Sequence, residues 1–525
     1  MRLPALAVSF CALLGLGAAQ AAPQFVNGLT IPGDALDRSG GTGVNDGRLG
    51  FFSDLTYDPS RREWWALSDR GPGGGTIPYD TRVHRFRLAV NPTSGAISDF
   101  AIEQTILFRN GSQTFNGLAP NPATTLGNAF DPEGLVVLPG SGHLLVSDEY
   151  GPSLYEFDRN GQFLRAFTMP ANVVPKVGTT PNFTASPPPG AGTLTSGREG
   201  NRGLEGLAIS PDGRYAYAML QNGTVTDGSV SAGTFARAMH TRILKFDTRT
   251  GAAVAQFAYR LEGSGPAPTR GRGISALVAL DENRFLVLER NNRGVGVPDA
   301  NLNEPDKRVF LIDLRGATDV SGIDLGGATL PAGVVPVSKN PSALADLAAN
   351  AILQDPSLAA LGGRAPEKWE GLAIGPRLSD GSYALVAGTD NDYSVTQNGT
   401  GTQFDVFYNP STGARVQCDL GTTANCTSIS TTGSVGTPGG VGPLPAGFSL
   451  IPGVLTSLRA SEADLGGYTP PAAAVPGPLP MAGAAAALAW SRRLKRWRRT
   501  PAMVPDSAGQ APESSPRQSP PDQLG

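Results

Sequence analysis

Apolar residues occur along this chain mainly in short runs, and clusters of turn-forming residues separate the runs. Residues 135–138 form one such run, Pro139-Gly140-Ser141-Gly142 forms a turn, and a second apolar run follows at 144–146. Two further β-rich stretches, 153–158 and 163–167, flank an Asn160-Gly161 pair that is typical of a tight hairpin turn. This stretch therefore predicts four short antiparallel strands.

The start of this pattern recurs along the chain. Glu133-Gly134-Leu135 matches Glu205-Gly206-Leu207 and Glu370-Gly371-Leu372, and weaker copies surround Asp54 and Ala276. The intervals between these five positions are 79, 72, 71 and 94 residues, long enough for four strands with inserted loops. A polar segment also ends the second strand of each copy, so we interpret the copies as repeats of one structural unit.

Repeated four-stranded units predict an all-β protein, a β-propeller of six blades of four-stranded antiparallel sheet spanning residues 24–470. Five units are visible, and either residues 24–50 or the C-terminal region would close the sixth blade. Residues 409–474 show no clear pattern and are expected to form an edge region. A parallel β-helix fits less well because its repeats are much shorter than 70 residues.

Composition agrees with a turn-rich β protein, since the 525 residues include 68 Gly and 45 Pro and only 17 % are charged. The net charge of −3 is unevenly distributed, because the two ends of the chain are basic and the body is acidic. Eight of the 42 basic and three of the 45 acidic residues lie in 1–21 and 475–525, which leaves 34 basic and 42 acidic residues, or about −8, in the body. This balance argues against nucleic acid as a partner and is compatible with cation binding.

Both termini indicate export. Residues 1–21 combine Arg2, an apolar run and the small-residue site Ala19-Gln20-Ala21, which predicts a cleavable signal peptide. Residues 475–499 place Val475-Pro476-Gly477-Pro478-Leu479-Pro480 before a short apolar run and a basic cluster, and 500–525 form a tail predicted to be disordered.

The order of these C-terminal features resembles the PEP-CTERM type of sorting signal in its VPGPLP form. The resemblance implies contact with a bacterial membrane and processing by an exosortase-like enzyme, so the expected location is the cell surface, the periplasm or the medium. The alternative is an unprocessed tail with a basic patch.

Three cysteines are present, and Cys11 would be removed with the signal peptide. Cys418 and Cys426 are expected to form one disulfide in an oxidising compartment, with two unpaired thiols as the alternative. Zinc is not expected, because His84, His143 and His240 are not spaced as zinc ligands.

Acidic residues recur at the start of the first strand and at the end of the second strand of the repeats. Because the first strands of all blades line one channel, these acids are expected to converge and to bind calcium, which prefers carboxylate, carbonyl and water oxygens. The alternative is that they cap turns by accepting backbone N–H groups. The candidate metal ligands are Asp54, Asp69, Glu133, Asp148, Glu149, Glu205, Glu289, Glu370, Asp390 and Asp392.

Four basic residues, Arg70, Arg202, Arg290 and Lys368, lie within three positions of these acids. They are candidates for binding an anionic ester, with metal-bound water as the expected nucleophile and no catalytic side chain identified. They would alternatively pair with the acids. A serine nucleophile is not supported, because no Gly-x-Ser-x-Gly motif is present.

Several of these motifs together resemble the phytase-like domain, which is also described as esterase-like activity of phytase. The resemblance runs in order from about Phe51 to Phe407 and includes the segments 147–155, 201–213 and 368–372 together with Asp390-Asn391-Asp392-Tyr393-Ser394. It implies a propeller related to calcium-dependent alkaline phytases.

The first hypothesis is therefore a secreted or cell-surface, calcium-dependent hydrolase acting on a small anionic substrate, a phosphate or related ester. A lactonase-like metal-dependent hydrolase and a non-catalytic binding propeller with structural calcium are the alternatives. The natural substrate and the oligomeric state stay open.

Overall fold

The computed structural model describes residues 22–41, 44–185, 194–231, 234–236, 238–262, 272–298, 300–327, 329–396 and 402–471. The predicted signal peptide 1–21, the sorting segment 475–499 and the tail 500–525 lie outside the described residues. Within these ranges nearly all regular structure is antiparallel β-sheet.

Five antiparallel sheets, four with four strands and one with five, are arranged around a central channel, and their innermost strands contact one another in a closed ring. We call these sheets blades 1 to 5 in the chain order of their innermost strands. From inside to outside their strands are Asp54–Asp58, Glu63–Leu67, Arg82–Val90 and Ile97–Leu107 in blade 1; Pro132–Val137, Leu144–Asp148, Ser153–Phe157 and Phe163–Ala166 in blade 2; Leu204–Ile209, Tyr215–Leu220, His240–Asp247 and Ala252–Arg260 in blade 3; Arg272–Ala279, Arg284–Asn291, Lys307–Asp313 and the short Ser338–Lys339 and Ala345–Asp346 in blade 4; and Lys368–Arg377, Tyr383–Asp390, Gly453–Ala460 and Gln24–Ile31 in blade 5.

The outermost strand of blade 5 comes from the N-terminal end of the described chain. Gln24–Ile31 pairs antiparallel with Gly453–Ala460, with Leu29 opposite Leu455. This pairing joins the two ends of the propeller in one sheet. Because the chain runs from the N-terminal strand into blade 1, the pairing also links blade 5 to blade 1.

The β-propeller prediction is confirmed, but the described residues form five blades where six were expected. All five visible repeats supply one innermost strand each. The remaining N-terminal segment completes blade 5, and the remaining C-terminal segment supplies that blade's third strand. The inner strand of blade 5 contacts the inner strands of blades 4 and 1, so the ring closes with five blades.

A further four-stranded sheet is inserted between the second and third strands of blade 5. We call this sheet the insert; its strands are Phe404–Tyr408, Arg415–Asp419, Thr427–Ile429 and Ser449–Leu450. Cys418 and Cys426, both fully buried, are joined by a disulfide within it.

Apolar side chains fill the spaces between neighbouring blades. Leu135 and Val146 of blade 2 pack against Leu67 of blade 1, while Leu145 and Leu154 on the opposite face pack against blade 3. The inner strand of blade 2 is buried along its whole length. Both faces of each blade are therefore core surfaces, which explains why the inner strands appear as continuous apolar runs in the sequence.

Shorter elements lie in the loops. Hairpins are formed by Arg109–Asn110 with Gln113–Thr114, Lys176–Val177 with Thr180–Pro181, and Ser229–Ser231 with Thr234–Ala236, and helical turns by Val44–Gly47, Val225–Asp227, Asn350–Leu353, Pro356–Leu361 and Asp392–Ser394. Among the described residues, no helix has the length and apolar character required to span a bilayer.

Close approach of the inner strands explains the glycine of the Glu-Gly-Leu repeats. A Cβ on Gly134 would lie 2.3 Å from the carbonyl oxygen of Glu205, and one on Gly206 would lie 2.8 Å from Cβ of Leu277. Real Cβ atoms do not approach backbone atoms so closely, so neighbouring inner strands meet at these positions only if the residue lacks a side chain.

A β-bulge accompanies the motif at the start of four inner strands. The residues that interrupt the pairing with the second strand are Glu133 in blade 2, Glu205 and Gly206 in blade 3, Ser275 in blade 4 and Glu370 in blade 5. Asp54 in blade 1 pairs in register with Leu67 and has no bulge. Because a bulge re-aims the extra side chain, four blades direct this position differently from the first.

His84 is a buried neutral group in blade 1. Its Nε2 lies 2.9 Å from Oγ of Ser68, whose hydroxyl donates to the carbonyl oxygen of Gly50, and its Nδ1 lies 3.0 Å from Oγ1 of Thr105. Because the Ser68 hydroxyl donates its proton to Gly50, Nε2 of His84 must donate to Ser68. Nδ1 then accepts from Thr105, as in neutral imidazole. Burial lowers the pKa of His84 from 6.5 to about 4.

We therefore expect His84 to make stability depend on pH. The unfolded chain binds this proton near pH 6.5 and the folded chain only near pH 4, so stability falls as pH decreases through that window. The free energy of unfolding is measured by urea titration at pH 7.0, 5.5 and 4.5. Over this range it should fall by about 2 kcal/mol less in His84→Gln than in the parent protein. Equal losses in both proteins would contradict the assignment.

Candidate functional site

One cavity opens at the channel mouth, where the inner strands begin and the second strands end. Its lining includes seven carboxylates and five basic side chains, contributed by loops and strands of all five blades. The carboxylates are Asp69, Glu133, Glu149, Glu205, Glu367, Glu370 and Asp392, and the basic residues are Arg70, Arg202, Arg272, Arg290 and Lys368.

The bulges of the inner strands supply part of this lining. Glu133, Glu205 and Glu370 are the bulged glutamates of blades 2, 3 and 5, and Ser275 takes the corresponding position in blade 4. Ser275 accepts a hydrogen bond of 2.9 Å from Nε of Arg290, whose Nη2 pairs with Glu370. The guanidinium of Arg290 is thereby fixed across two blades.

Arg70, which follows the second strand of blade 1, pairs with two acids next to strands of blade 2. Its Nη1 lies 2.6 Å from Oδ2 of Asp131 and 3.4 Å from Oε2 of Glu149, and it also donates to the side chain of Asn201. Asp131 is fully buried and has Arg70 as its ion-pair partner. One cation is thus shared between two carboxylates.

Lys368 neutralises the acids of blade 5. Its Nζ lies 2.6 Å from Oδ1 of Asp392 and 3.1 Å from Oδ2 of Asp390. These two acids, together with Asp69, form one of two acid triads whose carboxylate oxygens lie within 4.8 Å of one another. The other triad is Asp69, Asp131 and Glu133, so Asp69 belongs to both.

Several buried oxygens of the lining have no hydrogen-bond donor in the described structure. They are Oε1 of Glu149, Oε2 of Glu205, Oε1 of Gln221 and Oδ1 of Asn222. An unsatisfied buried acceptor costs about 1 to 3 kcal/mol, so these four oxygens, on residues that line one cavity, are candidates to bind a cation or the donors of a ligand.

Burial raises the pKa values of two carboxyls of the lining, Asp69 and Glu133. Burial raises the pKa of Asp69 to about 6, although Lys368 and Arg70 oppose the shift. Burial also raises the pKa of Glu133 well above its usual range, and the charge of Glu205 raises it further. The carboxylates therefore exceed the positive charge that the site supplies, and a bound cation would stabilise their ionised forms.

The family assignment follows from the sequence around this site. Residues 47–393 match the model of the phytase-like family, described as esterase-like activity of phytase, and this range includes every lining residue of the cavity. The chain belongs to the phytase-like family.

A fungal relative has a similar extent. An uncharacterized secreted protein of Arthroderma benhamiae is 25 % identical to this phytase-like chain over 461 residues, covering 72 % of the chain and 88 % of the relative.

Solved structures with which the chain can be aligned are more distant. A luciferin-regenerating enzyme is 11 % identical with a TM-score of 0.27, covering 79 % of this chain and 94 % of that one. Kuenenia stuttgartiensis hydrazine synthase is 14 % identical with a TM-score of 0.26, covering 73 % and 96 %.

The phytase-like cavity collects all four basic residues that the sequence singled out. It also collects six of the ten predicted acids: Asp69, Glu133, Glu149, Glu205, Glu370 and Asp392. Asp390 lies directly behind the lining, in the triad with Asp69 and Asp392.

Three predicted acids lie elsewhere in the phytase-like propeller. Asp54 lies in the channel and accepts from the backbone N–H groups of Leu55 and Leu135, because its strand has no bulge. Asp148 accepts three backbone N–H groups at 2.7 to 3.1 Å and so caps the turn after its strand. Glu289 is bound by Tyr259 and Lys339 between blades 3 and 4.

Sequence reasoning missed several residues of the site. Asp131 lies two positions before Glu133, just as Lys368 lies two positions before Glu370 in blade 5. This equivalence between repeats could have identified Asp131 as a site residue. Glu367 is adjacent to Lys368, whereas Arg272 follows a stretch with no repeat signal. Gln221 and Asn222 directly follow the second strand of blade 3, but their amides are uncharged and so were not counted as candidate ligands.

Neutralising two acids of blade 2 is expected to change the stability of the protein in opposite directions. Glu133→Gln should raise the stability of the metal-free protein by about 1 kcal/mol, because it removes a buried charge repelled by Glu205 and Asp131. Asp148→Asn should lower it by about 1 to 3 kcal/mol, because both carboxylate oxygens accept backbone N–H groups and the amide replaces one of these acceptors with a donor. Chemical denaturation in EDTA at pH 7.5 measures both changes, and destabilisation by Glu133→Gln would contradict this account.

Proposed function

We propose that this protein is an exported, calcium-dependent hydrolase of phosphate or related esters. The observation that supports it best is the set of buried carboxylate and amide oxygens without donors, which line one cavity together with five basic side chains. Such a set offers ligands for a hard cation and donors for an anion in the same space.

Calcium would be held by the triad of Asp69, Asp131 and Glu133. Their oxygens lie within 4.8 Å of one another, and no donor from the described residues reaches the carboxylate of Glu133. The donor set contains only oxygen, which favours calcium over metals that seek thiolate or imidazole. Glu149, with one oxygen free of hydrogen bonds, extends the set.

The second triad already contains a cation. The ammonium group of Lys368 contacts two of its three acids, Asp390 and Asp392, whereas in the first triad Arg70 pairs with Asp131 alone. We therefore infer one calcium ion at the mouth.

An anionic group of the substrate would be bound by Arg202, Arg272 and Arg290. All three line the cavity, and Nη1 of Arg272 is buried without a hydrogen-bond acceptor in the described structure. Ser275 and Glu370 hold Arg290 in one orientation, which lowers the entropy lost when it binds a ligand.

Glu205 is the carboxylate best placed to accept a proton from water in the cavity. Gln221 donates to Oε1 and thereby fixes the side chain, while Oε2 has no donor among the described residues. The sequence suggested Glu205 as a metal ligand, but it belongs to neither acid triad. Burial and the charge of Glu149 raise its pKa, which favours proton uptake. Bound calcium would polarise the ester and stabilise the negative charge that develops on it.

Export is part of the proposal. It is supported by the predicted signal peptide and by the fungal relative, which is described as secreted. The resemblance of residues 475–499 to a sorting signal would place the mature protein at the cell surface.

The activity is tested with the purified chain from residue 22 onward. We expect hydrolysis of p-nitrophenyl phosphate or a simple ester with calcium, at least a hundred-fold loss with EDTA, and recovery when calcium is restored. Turnover of lactones alone would favour a lactonase-like hydrolase. A melting temperature raised by calcium with no turnover on any of these substrates would favour a binding propeller.

Two variants separate calcium binding from proton transfer. Glu133→Gln should weaken calcium binding at least ten-fold in a calorimetric titration, because it removes a ligand charge. Glu205→Gln should keep calcium affinity within about three-fold and lower kcat at least a hundred-fold. The exposed turn variant Asp212→Asn is the control that should change neither. Equal loss of calcium affinity in both site variants would return Glu205 to the metal ligands.

A further inference from the structure

The charged cavity has one apolar edge. Val297 and Pro298 line it, and they belong to the loop that joins the second and third strands of blade 4. Pro298 is half-buried and Val297 is 4 % exposed. We call residues 297 and 298 the apolar lip.

Arg415 of the insert holds this loop. Its Nη1 donates to the carbonyl oxygens of Gly296 and Val297 at 2.7 and 3.1 Å, and its Nη2 donates to that of Ala300 at 2.8 Å. A fourth bond of 2.9 Å reaches Ser430 within the insert. Arg415 is 1 % exposed and forms no ion pair with a carboxylate of the described residues.

A fully buried guanidinium bonded to four carbonyl groups has a clear physical consequence. Burying a charge is costly unless its donors are satisfied, so the loop carbonyls must stay where Arg415 can reach them. Arg415 lies outside the family-matched residues 47–393, whereas the lip lies inside them. The insert therefore imposes a shape on a wall of the family's cavity.

Apolar packing supports the same contact. Val295 and Val297 of the loop form one cluster with Val406, Tyr408 and Ile429 of the insert. The backbone N–H of Leu302 donates to the carbonyl oxygen of Thr431 at 2.9 Å. The loop is thus fixed by the insert on one side and by the cavity wall at Glu367, whose N–H bonds to Val295, on the other.

The charge of the cavity limits the substrate. The seven lining carboxylates, together with Asp131 and Asp390 behind them, face five basic side chains, a formal charge of −4 that one calcium ion would reduce to −2. A polyanion would find no excess positive charge, whereas a molecule with one anionic group would be bound by the arginines. The lip would then meet its organic part.

We propose that the apolar lip contacts an apolar organic group of an ester that carries one anionic group, and that Arg415 is the positioning residue for this contact. The proposal rests on the proposed function and names the substrate class of the same site. It predicts selectivity for esters of apolar over polar alcohols.

Selectivity is measured first by binding, which does not depend on turnover. With calcium present, phenylphosphonate should bind about ten-fold more tightly than methylphosphonate, because its ring buries apolar surface on the lip. Pro298→Ser should reduce this ratio to about two-fold. Pro331→Ser, at a half-buried proline outside the cavity lining, is the matched control and should keep the ten-fold ratio.

Arg415→Met tests the positioning role. It should lower the same ratio to about two-fold while the affinity for methylphosphonate changes less than two-fold, a pattern that general loss of stability does not produce. Thermal melting shows whether this variant folds, and Pro298→Ser carries the test if it does not. An unchanged ratio in Pro298→Ser, or a wild-type ratio near one, overturns the proposal.

Turnover distinguishes this proposal from the broader one. For an active enzyme, kcat/KM for phenyl phosphate relative to glycerol phosphate should follow the binding ratios in all variants. Absence of turnover with intact phosphonate selectivity would refute the hydrolase and leave the lip assignment standing. Turnover without this selectivity would support the hydrolase and refute the lip assignment.

Discussion

The contact between neighbouring inner strands is the constraint on which the rest of the structure depends. The strands come so close that the carbonyl oxygen of Glu205 occupies the space that a Cβ of Gly134 would need. Glycine satisfies this constraint, and the adjoining bulge directs the preceding glutamate to the channel mouth. Packing and chemistry therefore share one short motif: the glycine allows the ring to close, and the acid beside it becomes part of the cavity.

This arrangement concentrates negative charge among buried side chains. Arg70 and Lys368 compensate four acids between them, since each contacts two carboxylates. Asp69 and Glu133 are left with raised pKa values, and buried oxygens of Glu149 and Glu205 are left without donors in the described structure. A site built in this way is stabilised by a ligand that brings positive charge, because the protein supplies more carboxylates than cations.

Blade 5 combines closure with control of the cavity. The N-terminal strand completes its sheet, and the insert leaves the same sheet between its second and third strands. Arg415 lies on the insert's second strand, which pairs with the third strand and carries one cysteine of the disulfide. The contacts that close the ring and those that fix the apolar lip are therefore different interactions.

Much of the architecture was determined by the sequence alone. The alternation of apolar runs and turns is a local pattern, and it predicted the strands. The Glu-Gly-Leu repeats and their weaker copies are local patterns too, and they identified the five inner strands and the acids of three bulges. The pairing of the N-terminal segment with residues 453–460 decided the number of blades, and no local pattern encodes such a long-range contact.

Tertiary structure also decided which acids meet. Asp54 and Glu133 have similar sequence surroundings, yet only the strand of Glu133 has a bulge, so only Glu133 reaches the mouth. Asp131, Arg272 and the apolar lip joined the site through neighbours from other blades or the insert. Sequence determines which residues can form a strand, but the distances between strands determine where a side chain points, because they result from packing the whole ring.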